Sequence, residues 1–411
     1  MRKLMMMAVI LLAVGQGVIA QVPVKTGIWR ALLHREDGRD IVFNYEFSWN
    51  KNKPVIYILN AEERMKVTDI ILAGDSVFVQ MPFFESSFRA RVYSKDSISG
   101  NWIKATATKS VVLPFTASSR YTTRFTAVKG PAATNISGKW AVQLYKPGNE
   151  PSPAIGVFTQ KNNKVTGSLL TPTGDFRFLE GIVTGDSLVM SAFDGSHALL
   201  FTAKVSNQKI ANGMLYSGAT GQQQWQAVAN DTATLPNTAA MYLKSGEEGK
   251  LNFRFKDLNG KEVGINDERF KNKVVVIQIM GSWCPNCMDE TAFLSDYYKN
   301  NKQRGVEMIA LAYEYTTDAE RSARSLNSFQ QRFNITYPVL NTGVAVTDPQ
   351  RTEKTLPQFT PIKTFPTSII IDKKGKVRKV DTGFVGPGTG SYYNEYKAEF
   401  EKMISALLAE S

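Results

Sequence analysis

The stretch Lys273–Glu290, KVVVIQIMGSWCPNCMDE, decides the reading of this chain. It begins as a short, uninterrupted apolar run, the pattern of a parallel strand buried on both faces. It ends in Cys284 and Cys287, the only two cysteines among 411 residues. A thiolate, not a thiol, is the reactive form of cysteine, and a free cysteine is mostly protonated at neutral pH. The first turn of a helix favours the thiolate, because its amides lack intrahelical partners and its dipole end is positive. A cysteine placed where a buried strand gives way to a helix has that environment. Pro285 suits the first helical turn, where a missing N–H is tolerated. Cys287 lies one turn on, on the same face, within reach of a disulfide to Cys284. On this reading Cys284, nearer the helix start and more exposed, attacks a foreign disulfide, and the deeper Cys287 resolves the mixed disulfide.

Other uses of the pair fit less well. A loop closed by two residues three apart gains little chain entropy, so a structural staple is a poor explanation. Zinc needs four ligands, and no second cysteine pair or spaced histidines lie nearby, so no metal is assigned. A peroxide-reducing site wants a threonine three residues before the reactive cysteine, where Gly281 stands.

Outward from the motif, strand and helix signals alternate. Residues 251–265 read as a hairpin turned at Asn259-Gly260. A helix is expected over Met288–Lys302, a buried strand over VEMIALAY, and an amphipathic helix over Asp318–Phe333. A short YPVL strand, a hairpin turned at Lys374-Gly375 and a helix over Tyr392–Ala409 complete the order. Residues 251–411 therefore predict a C-terminal α/β domain of β-α-β-α-β-β-α order.

At this point the sequence resembles the TlpA/ResA family of extracytoplasmic thioredoxin-like proteins. The residues that carry the resemblance are Trp283-Cys284-Pro285-Asn286-Cys287, Glu290, and Phe365-Pro366-Thr367 before Ile369-Ile370-Ile371-Asp372. It implies a thioredoxin fold, a cis peptide bond at Pro366 facing the cysteines, and Phe365 held extended beside a bound chain. Trp283, Pro285, Phe365 and Pro366 are then the substrate-binding residues. Glu290 is implied to serve near the active site, as the base that Cys287 needs, or else to be an exposed helix carboxylate. Cytoplasmic thioredoxins carry a buried aspartate six residues before the first cysteine. Gln278 stands there, leaving Glu290 as the local acid. The family usually has a basic residue where Met288 stands and aromatics where Ile279-Met280 stand. The long segment Asn341–Thr364 predicts an extra loop or short helix beside Pro366.

Residues 25–230 differ. Short runs of Val, Ile, Thr and aromatics are punctuated by Gly, Asn, Asp and Pro, which reads as strands. The region also repeats. Gly27-Ile28-Trp29 returns as Gly138-Lys139-Trp140, and Gly74-Asp75-Ser76 as Gly185-Asp186-Ser187, at one common offset. Phe88 answers Phe201 and Gly100 answers Gly213 with a two-residue slip. Each unit is expected to end in an aromatic-x-Ala-Val strand, Phe125–Val128 and Trp225–Val228. Two all-β barrel or sandwich modules, 24–130 and 135–230, follow, weakly similar to small lipocalin-like domains that begin with Gly-x-Trp. Residues 231–250 read as a linker. Trp29 and Trp140 are expected in the cores, and the two histidines, His34 and His197, receive no chemical role.

The chain opens with Arg2 and Lys3, an apolar run from Leu4 to Val14 and small residues before Gln21, the pattern of a secretory signal over 1–20. An uncleaved anchor is the alternative. No later stretch is apolar enough to cross a membrane. The net charge of +12 is scattered. Its densest cluster, Lys373 to Lys379, reads as a solvated turn, so no nucleic-acid partner is assigned. The expectation is an exported protein disulfide reductase of the periplasm or cell envelope. It would have no cofactor beyond its Cys284–Cys287 disulfide, would act on disulfide-containing proteins, and by resemblance would receive electrons from a DsbD-type membrane donor. The rival is an envelope- or partner-binding protein in which the β modules carry the main role.

Overall fold

The computed structural model describes residues 23–82, 84–126, 130–236 and 241–410. The signal-like segment 1–20 lies outside the described residues. Three sheets follow one another along the chain.

The first sheet contains β1 (Gly27–His34), β2 (Asp40–Asn50), β3 (Lys53–Asn60), β4 (Glu63–Val67), β5 (Asp69–Ala73), β6 (Ser76–Gln80), β7 (Ser86–Ser94), β8 (Ser97–Ala105) and β9 (Ser110–Ser118). The second contains β10 (Gly138–Tyr145), β11 (Ser152–Lys161), β12 (Lys164–Thr171), β13 (Gly174–Asp175), β14 (Leu179–Thr184), β15 (Ser187–Phe193), β16 (Ala198–Val205), β17 (Lys209–Ser217) and β18 (Gly221–Ala229). In each, the first strand pairs with both the second and the last, so an antiparallel meander curls back on itself. The second sheet closes into a barrel, because β12 pairs with β11 on one side and β14 on the other. The first sheet curls the same way but has β4 and β5 as its two edges.

The repeat seen in the sequence is a repeat of devices. Trp29 Nε1 donates to Lys25 O (2.8 Å) and Trp140 Nε1 to Ile136 O (2.9 Å), so each indole satisfies its N–H four residues back while its ring fills a core. Gly74 (φ 60°) and Gly185 (φ 53°) turn the β5–β6 and β14–β15 hairpins in the left-handed region, where glycine is unstrained. The aspartate after each accepts an amide across the sheet, Val92 N to Asp75 O (2.7 Å) and Val205 N to Asp186 O (2.8 Å). The expected strand over Phe125–Val128 is corrected: β9 ends the first meander, Phe125 and Thr126 are not in a strand, and Ala127 and Val128 lie outside the described residues. The segment was misplaced because its apolar pattern resembles β18 while its neighbour Arg124 leaves the barrel. That guanidinium is buried and bonds Ser191 O (2.9 Å) and Leu59 O, joining the two modules. Phe43 and Phe193 stack across the same junction with centroids 4.2 Å apart.

The third sheet has the order β20-β19-β23-β22-β21-β24-β25, from β19 (Arg254–Asp257), β20 (Glu262–Gly264), β21 (Val274–Met280), β22 (Val306–Ala312), β23 (Val339–Asn341), β24 (Thr367–Ile371) and β25 (Val377–Thr382). β21, β22 and β23 run parallel, β24 runs antiparallel to β21, and β25 runs antiparallel to β24. The helices are α1 (Pro285–Asn301), α2 (Ala319–Arg332), α3 (Arg351–Thr355) and α4 (Ser391–Ala409). Alternate residues of β21 serve two cores. Val274, Val276 and Met280 share one with Leu294 of α1, Phe329 of α2 and Ile404 of α4. Val275, Ile277 and Ile279 share the other with Phe253, Leu356 and Phe359. This is why the strand is apolar at every position except Gln278. The domain is thioredoxin-like. Its inserted segment folds as α3 and its flanks, with Thr355 Oγ1 and Tyr313 Oη 2.7 Å apart. Part of the expected linker is not a free tether: Met241 is buried, and Leu243 bridges to Phe359.

Candidate active site

The strand-to-helix junction is built as its residue types require. β21 ends at Met280, and Gly281-Ser282-Trp283 turns the chain into α1. Cys284 is the helix N-cap, with Pro285 at the first helical position. Cys284 Sγ accepts the amide of Cys287 (3.2 Å), and the two cysteines form a disulfide with Cα atoms 5.2 Å apart. A sulfur so placed faces the positive end of α1, which stabilises a thiolate once the pair is reduced. Gly281 is a steric requirement: a Cβ there would lie 2.1 Å from Trp283 Nε1. The threonine of a peroxide-reducing site therefore cannot coexist with this Trp283 position. The indole donates to Tyr313 O (2.8 Å), stacks on Tyr315 and meets Phe365 edge-on at 5.4 Å.

The Phe365–Pro366 bond is cis. Pro366 begins the turn into β24, which pairs with β21 directly beneath the motif. The structure thus brings Trp283, Cys284, Pro285, Cys287, Phe365 and Pro366 to one end of the sheet, with Trp283 touching Phe365.

Glu290 is not an exposed helix carboxylate. It is fully buried, accepting from Gln278 Nε2 (2.8 Å) and Ser368 Oγ (2.9 Å). Burial pushes its pKa up to about 7, although both hydrogen bonds oppose the shift. Gln278 also donates to Cys287 O (3.4 Å) and accepts from Thr291 Oγ1 (2.9 Å), so its amide joins the acid to the backbone of the second cysteine.

Glu290 is also not the only local acid. Glu314, just past β22, is buried and accepts from Ser282 N (2.9 Å) and Ser282 Oγ (2.6 Å), holding the loop before Trp283. Burial raises its pKa to about 7. Its sequence signal was its place at the C-terminal end of a buried parallel strand, the edge where open α/β sheets hold ligands.

Two further residues, Asp175 and Arg177, come from outside the motif. Asp175 O accepts from Asn286 Nδ2 (3.2 Å), and Asp175 Oδ2 accepts from Gly386 N (2.6 Å) in the loop after β25. Burial raises the Asp175 pKa to about 6. Arg177 bonds Asp289 of α1 twice (2.7 and 2.9 Å), Glu63 of the first module (2.6 Å) and Asp194 of the second (3.1 Å). Burial works against its charge, but Asp289 and Glu63 outweigh that and hold its pKa well above the usual value. No local sequence pattern marks these residues, because their partners in the first module and the redox domain are more than a hundred positions away. With the second module laid against the motif, Cys284 is 4% exposed and Cys287 0%. The expected order of exposure holds, but both thiols are buried.

The geometry defines a thioredoxin-fold domain with a disulfide at the start of its first helix. Residues 244–396 match the model of the Redoxin family, and the C-terminal domain is a Redoxin domain. Among curated proteins it is similar to the thiol-disulfide oxidoreductase ResA of Bacillus thuringiensis subsp. konkukian (strain 97-27), 32% identical over 31% of this chain and 63% of that protein. ResA of Bacillus subtilis (strain 168) is 30% identical over 32% of this chain and 64% of its own length. The chain thus spans a little under two thirds of these relatives. Among solved structures, a thiol:disulfide interchange protein of Chlorobium tepidum TLS is 22% identical, covering 40% of this chain and 99% of that one, with a TM-score of 0.30.

Proposed function

We propose that the chain is an exported thiol–disulfide oxidoreductase that reduces disulfides in other proteins. The observation that carries this reading is the Cys284–Cys287 disulfide at the N-terminus of α1, with the buried Glu290 one turn beyond Cys287. In the reduced protein the Cys284 thiolate attacks one sulfur of a substrate disulfide. The substrate S–S bond breaks, its second sulfur leaves as a thiolate that takes a proton, and a mixed disulfide forms. Cys287 then loses its proton and attacks Cys284 Sγ. The Cys284–Cys287 bond closes and the remaining substrate thiol is released. Two electrons pass to the substrate. Glu290, with a pKa near working pH, is the acceptor of the Cys287 proton. Trp283, Phe365 and Pro366 bind the substrate chain beside Cys284. The oxidised pair is re-reduced by a membrane dithiol donor of the DsbD type. The basic-then-apolar opening of the sequence supports export. No helix of the described residues is long and apolar enough to cross a membrane.

Cys284→Ser is expected to abolish disulfide reduction, and retained turnover would refute the mechanism. Cys287→Ala is expected to trap a mixed disulfide visible on a non-reducing gel, and absence of any trapped species would remove Cys287 from the resolving role.

A further inference from the structure

The two β modules share a plan, and they part at one place. β3 (Lys53–Asn60) and β12 (Lys164–Thr171) occupy the same position in the repeat. After β3 the chain turns and β4 pairs back along it for five residues. After β12 only Gly174 and Asp175 pair back at its C-terminal end, and β14 rejoins it further along at Lys164–Gly167. The chain then leaves the sheet and crosses to the thioredoxin-like domain. There Asp175 bonds both Asn286, inside the cysteine motif, and Gly386, in the loop after β25. Arg177 clamps Asp289, five residues past Cys284, through two nitrogens.

The contact is made at backbone distance by glycines on both sides. A Cβ on Gly174 would lie 2.2 Å from Asn286 Nδ2. One on Gly383 would lie 2.8 Å from the Thr173 carbonyl carbon, and one on Gly388 2.6 Å from the Arg177 carbonyl. Asn286 is buried under this segment, whereas Trp283, Tyr315 and Phe365 on the other side of Cys284 keep part of their surface.

We propose that residues Thr171–Arg177 of the second module are a size filter on the disulfide-exchange site, with Asp175 and Arg177 as the specificity-determining residues. The segment closes the approach over Asn286. It leaves Cys284 to disulfides in small molecules or thin extended chains arriving from the Trp283–Phe365 side. A bulky folded substrate reacts only when the segment lifts, so its rate is reduced by the fraction of molecules that are open. The inference rests on the oxidoreductase reading above and names the substrate class of that same site.

The test uses the full chain, reduced and freed of reductant, in two independent variants from opposite sides of the contact, Asp175→Ala and Asp289→Ala. Second-order rate constants are measured by stopped flow against insulin, a bulky disulfide substrate, and against dithionitrobenzoate, a small one. Asp175→Ala removes the side-chain bond to Gly386 N, and Asp289→Ala removes both bonds from Arg177, so the insulin rate is expected to rise about tenfold while the small-disulfide rate stays within about twofold. An insulin-to-small-disulfide ratio unchanged in both variants overturns the filter while leaving the oxidoreductase reading intact. A general loss of structure exposes both thiols to the small disulfide as well, so the small-disulfide rate leaves its twofold window and the two cases are distinguished. Wild-type protein that reacts with neither disulfide overturns the oxidoreductase reading and the filter with it.

Discussion

The two β modules touch the redox domain in different ways, though they repeat one design. The first reaches it through Glu85, which accepts from Arg321 Nε (2.9 Å), Arg321 Nη2 (2.7 Å) and Ser325 Oγ (3.1 Å) on α2. Those side chains are a quarter to a third exposed. The second reaches it through Arg177, whose side chain is 3% exposed among three carboxylates. One contact is a wet tie to a peripheral helix. The other is a dry clamp over the cysteines. A repeated fold can thus keep its turns and core tryptophans in both copies while one hairpin is diverted to a new task.

Interior volume points the same way. The apolar cavity inside the first module, lined by Phe43, Tyr45, Phe88 and Phe115 among others, holds only about 40 Å³. Ligand pockets run from about 300 Å³ upward, so this interior is a packed core rather than a carrier site.

The contrast between the two ties can be broken most directly at Arg177. Arg177→Ala leaves Glu63, Asp194 and Asp289 buried without their cation, and should cost about 3–5 kcal/mol in urea unfolding. A loss below about 1 kcal/mol would mean the clamp is not a dry one.

A change inside the redox domain separates the clamp from the chemistry. Between pH 4.5 and about 7 folded Glu290 holds a proton that the unfolded chain has released. The folded state therefore binds more protons, and stability falls as pH rises through that window. Glu290→Gln removes this penalty. The variant should be more stable than wild type in urea unfolding at pH 8, by at most about 3 kcal/mol, with a flatter profile below pH 7. Glu314 and Asp175 would supply the residual slope in the same direction. Release of the mixed disulfide should slow about a hundredfold. An unchanged release rate would leave Glu290 as a packing residue.

The repeat itself can be tested at paired glycines. A Cβ on Gly100 would lie 2.1 Å from Arg89 O, and one on Gly213 2.4 Å from Trp225 O. Gly100→Ala and Gly213→Ala should each cost about 1–3 kcal/mol, by overpacking against the neighbouring strand. Very unequal losses would show that the two cores do not share this device. The smallest effect is expected at the wet tie. Arg321→Ala should cost about 1 kcal/mol or less and leave substrate size selectivity unchanged.

Most of the redox domain was legible in the sequence because its signals are local. A buried parallel strand is continuously apolar, a helix start tolerates proline, and the hairpin turns carry Asn259-Gly260 and Lys374-Gly375. The repeat was legible because Gly74 and Gly185 are dictated by backbone conformation. Other features were not local. The surroundings of Glu290 depend on Gln278 and Ser368 from two neighbouring strands, so its burial could not be read from helix spacing alone. The role of Gln278 was half seen: it does not titrate, but it holds the acid that does. Asp175 ends the two-residue strand β13 and Arg177 follows it, and only the packing of three domains gives them Glu63, Asp289, Asn286 and Gly386 as partners. Phe125–Val128 was misread because an apolar strand pattern does not reveal where a meander ends.

The central claim is that Cys284 and Cys287 form a reducing pair. Its most direct test is equilibration of the full chain with glutathione redox buffers, followed by alkylation and counting of free thiols. A two-electron transition with a midpoint below about −220 mV is expected, which requires a dedicated electron donor. A midpoint near −120 mV would make the protein an oxidant that installs disulfides and would contradict the proposed direction of electron flow.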